Sequence, residues 1–464
     1  QVIKFNTSGA QVGTFGAVGG ISAGTKGIVG DLRFWNISGA GTDANGNLFV
    51  ALNENCVSLR KFNPAGVKQW EVLGTMFTDI GSIDPTSDGA DIYTMNEHIK
   101  FDYVTQQWSL YSMTLDRINN PSDPRALAGG GEFTSALMRR VNGNRVMFMT
   151  SMYADFWDVY RFDGEIAIHS QRIKDLGWSS LPDKNGNIWY ESNNELRKIS
   201  LTGFSKEGNP VFGAAVVVAP SIPAPIKKVE RIEYDAQNDV MFIAGWTDAN
   251  PNVNNNWGLI GSTISRFPNW SGGNRTASHS AVMPNDVEGF PMKAMSVADG
   301  YLFVGGSRDR GKLNVFKSTD LSSVGVIAAP TDMGEPGWLD IPHAIQAFKR
   351  SNGQYVILVE DNSKGKNFVY QWCPSNNCTP ITNITDIALD EQIYIYPNPV
   401  ADNILISGSV SPLAKYEIIS VDGKLVKEGN IKDNLILSDD VQKGLYLLKI
   451  KTESAAIIQR FLKE

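Results

Sequence analysis

The chain has 464 residues, with 42% hydrophobic and 20% charged side chains, 44 Gly and 21 Pro. That balance excludes extended disorder, and the length predicts two or three domains, or one large repeat-built domain beside a small one. A formal charge of −7, all of it upstream of residue 393 because the tail carries equal numbers of acids and bases, argues against a nucleic-acid partner.

The sequence opens at Gln1 with neither a Met nor a basic-then-apolar leader, so a signal peptide is expected to have been removed. No apolar run approaches the roughly 18 residues of a membrane-spanning helix; residues 214–219, the longest candidate, run into Pro220, Pro223 and Pro225. Short apolar runs set between Gly, Pro, Asn and Asp, with no sustained helical period, predict an all-β chain.

One unit recurs along residues 1–372 and reads as turn, strand, loop, strand. Its clearest copies are 42–52 with 59–62, opened by Asp43-Ala44-Asn45-Gly46-Asn47, and 182–190 with 196–199, opened by Asp183-Lys184-Asn185-Gly186-Asn187. Weaker copies stand at 87–93, 142–148, 236–242, 298–303 and 351–357. Units spaced by roughly 40 to 60 residues are expected of four-stranded propeller blades, which bury one another's faces in a ring and leave only short edges. The Asp-x-Asn-Gly-Asn units resemble the repeats of NHL-type and two-component-regulator propellers, a resemblance that implies a fold and no activity. The expectation is a β-propeller of about seven blades, with six to eight left open. Residues 2–9 echo residues 59–66, and an N-terminal outer strand is expected to complete the last blade near 355–372.

The two Asp/Asn series look like the start of a calcium loop but lack the closing Glu of a twelve-residue site, so Asx turns explain them. His98, His169, His279 and His343 are isolated in sequence, and no H-E-x-x-H or G-x-S-x-G motif occurs. No metal, cofactor or catalytic residue is therefore assigned. A propeller lyase or hydrolase acting on polysaccharide stays as the alternative, with His343, His279 and Asp340 as its candidates. Loops that open on one face of the ring carry Trp157, Trp257, Arg308, Arg310, Trp338, Asp340 and His343, the candidate face for a glycan or an outer-membrane protein. Packing of these aromatics on their own blades is the competing explanation.

Cys373 and Cys378 flank a Pro- and Asn-containing loop short enough for a local disulfide in an exported protein, within an expected linker of residues 373–392. Cys56 reads as a buried small apolar residue.

From residue 393 to 464 the strand signals become dense. Runs at 393–396, 403–407, 416–420, 424–427, 444–451 and 455–461 are punctuated by Pro397-Asn398-Pro399 and by the hairpin pair Asp422-Gly423. Some seven short strands predict a small β-sandwich. The series Pro397-Asn398-Pro399, Asp422-Gly423, Gly444-Leu445-Tyr446 and Phe461 with Lys463, in order across the whole tail, resembles the type A sorting domain of the Bacteroidetes type IX secretion system. That resemblance implies an immunoglobulin-like sandwich read by the translocon and an outer-membrane shuttle or sortase, and a secreted or cell-surface location. The remainder is then cargo: a noncatalytic binding or assembly module, the enzyme above, or a structural subunit retained in an outer-membrane complex.

Overall fold

The computed structural model describes residues 1–464 apart from 54–55, 76–80, 128–132, 134, 152–153, 178, 248–261, 283–291, 307–311, 329–344, 362–365, 375–393, 397–399, 408–413, 421–423, 432–434, 452–455 and 464. Two compact units divide the chain, Gln1–Cys378 and Thr379–Glu464.

Six antiparallel sheets of the first unit form a ring. Blade 1 comprises Ser82–Ile83, Asp91–Tyr93, Glu97–Asp102 and Gln107–Met113; blade 2 comprises Ser135–Val141, Asn144–Thr150, Trp157–Asp163 and Ile166–Ile173. Blade 3 is Leu181–Pro182, Ile188–Ser192, Glu195–Ile199 and Val216–Ala219, with a separate hairpin, Leu201–Phe204 and Pro210–Phe212, inserted before its last strand. Blade 4 is Lys228–Asp235, Val240–Trp246, Ser262–Pro268 and His279–Val282, and blade 5 is Met292–Ala298, Tyr301–Gly306, Lys312–Lys317 and Ser323–Ala328. Blade 6 shows three strands among the described residues, Ile345–Lys349, Tyr355–Asp361 and Lys366–Trp372.

Both faces of each blade are covered, so the early strands are apolar nearly without alternation; all seven positions of Val240–Trp246 are buried. Met138 and Met147 meet Tyr93 and Met95 between blades 1 and 2, and Phe148 and Trp157 meet Leu181 and Ile188 between blades 2 and 3. Around the ring, Trp189 packs with Ile243, Phe242 with Met295, and Phe303 with Tyr355. Buried arginines add polar stitches: Arg139 donates to the Asp183 carbonyl at 2.8 Å and Arg231 to that of Met295 at 3.0 Å. Such donors offset the cost of burying main-chain acceptors at the seams.

The last seam decides the blade number. Val356 and Leu358 of blade 6 pack directly on Ile83 and Ile92 of blade 1, and the Ser351 amide donates to Asp88 at 2.6 Å. Among the described residues the ring therefore closes with six blades, within the expected range. The unit read at Asp43 is a four-stranded sheet, Ile37–Thr42, Leu48–Leu52, Cys56–Phe62 and Lys68–Thr75, but it stands outside the circle. It packs through Val50, Leu52 and Phe62 with Met113 and Leu110, on the outermost strand of blade 1. The reason lies in its first strand, Ile-Ser-Gly-Ala-Gly-Thr, which is exposed at all but one position and offers Ile37 as its one large apolar side chain, too little to fill a seam.

The expected closure by an N-terminal strand is overturned. Val2–Phe5 pairs antiparallel with Gln11–Phe15 in a hairpin of its own, so its backbone groups are already committed. Phe15 then meets Phe62 edge to face at 4.9 Å, which docks the hairpin on the extra sheet.

The second unit is the expected seven-stranded, immunoglobulin-like sandwich. One sheet orders Tyr394–Tyr396, Asn403–Ser407 and Leu435–Leu437; the other orders Leu425–Asn430, Lys415–Ser420, Gly444–Lys451 and Ala456–Lys463. Alternate residues Ile404 and Ile406, Tyr416 and Ile418, and Tyr446, Leu448 and Ile450 point inward and share one core with Phe461.

Candidate functional site

In the tail, the motif residues that the structure describes belong to the framework of the sandwich. Tyr446 and Phe461 are cross-strand partners whose rings stack at 5.7 Å inside the core. Gly444 opens the same strand, and Lys463, its partner in register, is almost fully buried. Leu445 and Leu462 face outward, each 43% exposed. Pro397, Asn398 and Pro399 lie outside the described residues. Immediately after them, the fully buried Val400 donates its N–H to the Leu462 carbonyl at 2.7 Å, a parallel bridge that ties the start of the domain to its final strand. Asp422 and Gly423 also lie outside the described residues; the strands they join pair as expected, with Ile418 opposite Lys427.

On the propeller, Trp257, Arg308, Arg310, Trp338, Asp340 and His343 lie outside the described residues. Trp157 does not line a surface: it is 1% exposed, packs between blades 2 and 3, and donates to the Ser180 hydroxyl at 2.9 Å. The proximity of Asp155 and Phe156 had suggested a loop, but the indole begins a strand and fills a seam. His279, one of the three candidates of the enzyme alternative, sits exposed on the outermost strand of blade 4, away from the inner strands. Among the described residues no group of three His, Cys, Asp or Glu is placed to hold a metal ion.

Asp43 and Asp183 behave as Asx turns. Asp43 Oδ1 accepts from the Asn45 and Asn47 amides at 3.0 and 2.9 Å, and Asp183 Oδ1 accepts from Asn185 and Asn187 at 2.9 Å each. Cys56 is fully buried, and burial pushes its thiol well above the ordinary range. Cys373 follows the last strand of blade 6, and Cys378 lies outside the described residues.

One constellation had no sequence signature. His98, 3% exposed, stacks on Tyr93 at 4.1 Å, its Nδ1 lies 3.2 Å from Glu165 Oε2, and its Nε2 lies 3.2 Å from Asp91 without good hydrogen-bond alignment. Arg145 donates to the same Glu165 oxygen at 2.7 Å. Burial opposes charge on both partners, but the ion pairs prevail: Glu165 is held down to about 2, and His98 is raised above its ordinary value. These residues are 67 positions apart in sequence, and only the seam between blades 1 and 2 brings them together. The ion pairs tie blade 1 to blade 2 across this seam.

Together these features define a β-propeller followed by a separately folded immunoglobulin-like domain. Residues 394–464 match the family model of the secretion system C-terminal sorting domain, which marks the chain as exported cargo of the type IX secretion system, secreted or at the cell surface, whose tail engages that machinery. No curated protein matches the chain. Among solved structures, it is similar to PorZ of Porphyromonas gingivalis, described as an essential bacterial surface component of the type-IX secretion system, at 11% identity and a TM-score of 0.33, covering 93% of this chain and 59% of that one. It is also similar to the extracellular domain of BT4673, a putative one-component system of B. thetaiotaomicron, at 11% identity and a TM-score of 0.35, covering 97% and 59%. The chain thus spans about three fifths of these two proteins' length. The fold assignment rests on the sheet order and seams described above. Among the described residues no helix is long and apolar enough to cross a membrane.

Proposed function

We propose that this protein is a noncatalytic surface module, a rigid propeller that the tail delivers through the type IX translocon and that binds a glycan or an outer-membrane protein once outside. The observation that carries the reading is the sandwich within residues 394–464, whose described motif residues Gly444, Tyr446, Phe461 and Lys463 serve its own fold and which matches a sorting domain. Three supporting features accompany it: described histidines engaged in ion pairs (His98, His169) or exposed on an outer strand (His279), Asp/Asn runs consumed by turns, and a ring closed by packing on every side. A local Cys373–Cys378 disulfide at the end of the first unit, formed after export, belongs to the same proposal.

The sandwich also offers a means of recognition. Leu425–Asn430 is an edge strand of the larger sheet with Leu425 and Val426 exposed, and strand addition there by a shuttle or sortase needs backbone more than side chains. In a host that carries the secretion system, deleting residues 393–464 is expected to leave the propeller inside the cell, measured by surface protease accessibility. Single Pro substitutions at Val426 and Lys427 are expected to reduce export in whichever variant keeps the wild-type melting temperature. Surface display of the deleted chain would overturn the reading. The enzyme reading would gain if polysaccharide were cleaved by the purified protein, and retention of an intact tail in an envelope complex would favour the structural subunit.

A further inference from the structure

Two elements that the ring does not need converge on blade 2. The hairpin inserted in blade 3 leans over it, with Asn209 accepting from Arg161 Nε at 3.0 Å and the Pro210 carbonyl accepting from Gln171 at 2.8 Å. On another side, the N-terminal segment is fixed by the Glu165 amide donating to the Lys26 carbonyl at 2.8 Å. Between the hairpin tip and the turns of blade 2 lies an open cleft of about 410 Å³, lined by Arg140, Arg145, Arg161, Phe162, Glu165 and Gly208 among others. That volume suits a single ring-sized ligand.

The three arginines of the cleft are not equally engaged. Arg140 is paired to Asp84 at 2.6 Å and Arg145 to Glu165 at 2.7 Å. Among the described residues Arg161 donates through Nε to the neutral amide oxygen of Asn209 and forms no ion pair. Glu207, at the hairpin tip, feels Arg161 at longer range, but its carboxylate is hydrogen-bonded by Ser205 at 2.7 Å. Arg161 is therefore the cleft arginine without a close ion pair among the described residues, with Glu207 as its more distant counter-charge, in a chain whose overall charge is −7.

We propose that this cleft is a binding site for a hydroxyl-rich monocarboxylate of the sugar-acid class, with Arg161 gripping the carboxylate. A planar guanidinium matches a carboxylate with two parallel hydrogen bonds, which favours this group over a spherical anion. A dianion such as a phosphate monoester would face the Glu165 and Asp84 carboxylates behind the two occupied arginines. Polar walls, with Phe162 already covered on one face by Arg145 at 4.3 Å, suit hydroxyls better than an apolar body. The site deepens the binding-module reading by naming a ligand class; export through the tail is scored in a separate assay, so failure of one leaves the other standing.

The test is calorimetric titration of the full chain with D-glucuronate, D-glucose, glucuronate methyl ester and inorganic sulfate. Glucuronate is expected to bind with a dissociation constant of about 1 mM, and glucose and the ester at least about tenfold more weakly. Arg161→Gln is expected to weaken glucuronate binding by about tenfold or more, with an unchanged melting temperature. Gly208→Asp, which adds a carboxylate at the rim at a left-handed φ of 82° where Asp is among the less disfavoured replacements, is expected to weaken it as well and serves, at an unchanged melting temperature, if the first variant misfolds. No heat with glucuronate up to about 20 mM, a scale at which millimolar sites saturate, overturns the proposal. So does sulfate binding as tightly as glucuronate, or either folded variant binding like the wild type.

Discussion

His98 sits between Asp91 and Glu165 under a tyrosine ring, and a buried imidazolium held by two carboxylates makes stability depend on pH. Its folded pKa is raised, so its contribution is complete below the ordinary histidine value and is lost as pH climbs through the folded one. Glu165 acts in the opposite sense: held down to about 2, it contributes above the ordinary carboxylate range and stops contributing as pH falls toward 2. His98→Gln is expected to destabilise the propeller by about 3 kcal/mol at pH 5.5, because two carboxylates lose their shared cation, and by clearly less at pH 9. Urea unfolding at the two pH values checks this; a pH-independent difference would refute the ion-pair account. No reading of the sequence pairs His98 with Glu165, because their meeting depends on the order in which blades neighbour one another.

At the level of strands, the tail was legible almost throughout. Its turn residues, alternation and hairpin pair Asp422-Gly423 are local signals, and seven strands in two sheets follow from them. The core residue Phe461, fully buried against Tyr446, makes a sharp test. Phe461→Ala should cost about 3–5 kcal/mol of sandwich stability. If the folded sandwich is what the translocon reads, export should fall with it; normal export of a chain whose tail unfolds early would show that the linear motif suffices. The propeller was legible only in part. Turn-strand units such as Asp183 to Tyr190 announce a blade wherever they occur, but they do not announce membership in the ring. The unit at Asp43 carries the same turn and stays outside, and the discriminating signal was the run of small residues in Ile37–Thr42. The echo between residues 2–9 and 59–66 was real as a strand-and-turn pattern and misleading as a pairing rule, because a nearby partner, Gln11–Phe15, claims the strand first.

Across the whole molecule, closure joins residues far apart in sequence: Ile83 and Ile92 against Val356 and Leu358. Such contacts are invisible to any short-range pattern and are set by how many sheets fit round the circle. Leu358, 2% exposed, lies in this closing seam. Leu358→Ala is expected to remove about 2–5 kcal/mol from the propeller and leave the tail untouched. Calorimetry should therefore show two unfolding transitions, matching the two compact units, with only the larger one shifted. A single transition that moves as one would contradict this independence.

The parallel bridge between Val400 and Lys463, made by the Val400 N–H on the Leu462 carbonyl, sets an order of events during synthesis. Ala456–Lys463 leaves the ribosome after every other strand described here, yet Val400, near the start of the domain, must wait for it. A polypeptide whose translation stops short of that strand lacks the piece that completes its address, so an unfinished product would carry no valid export label.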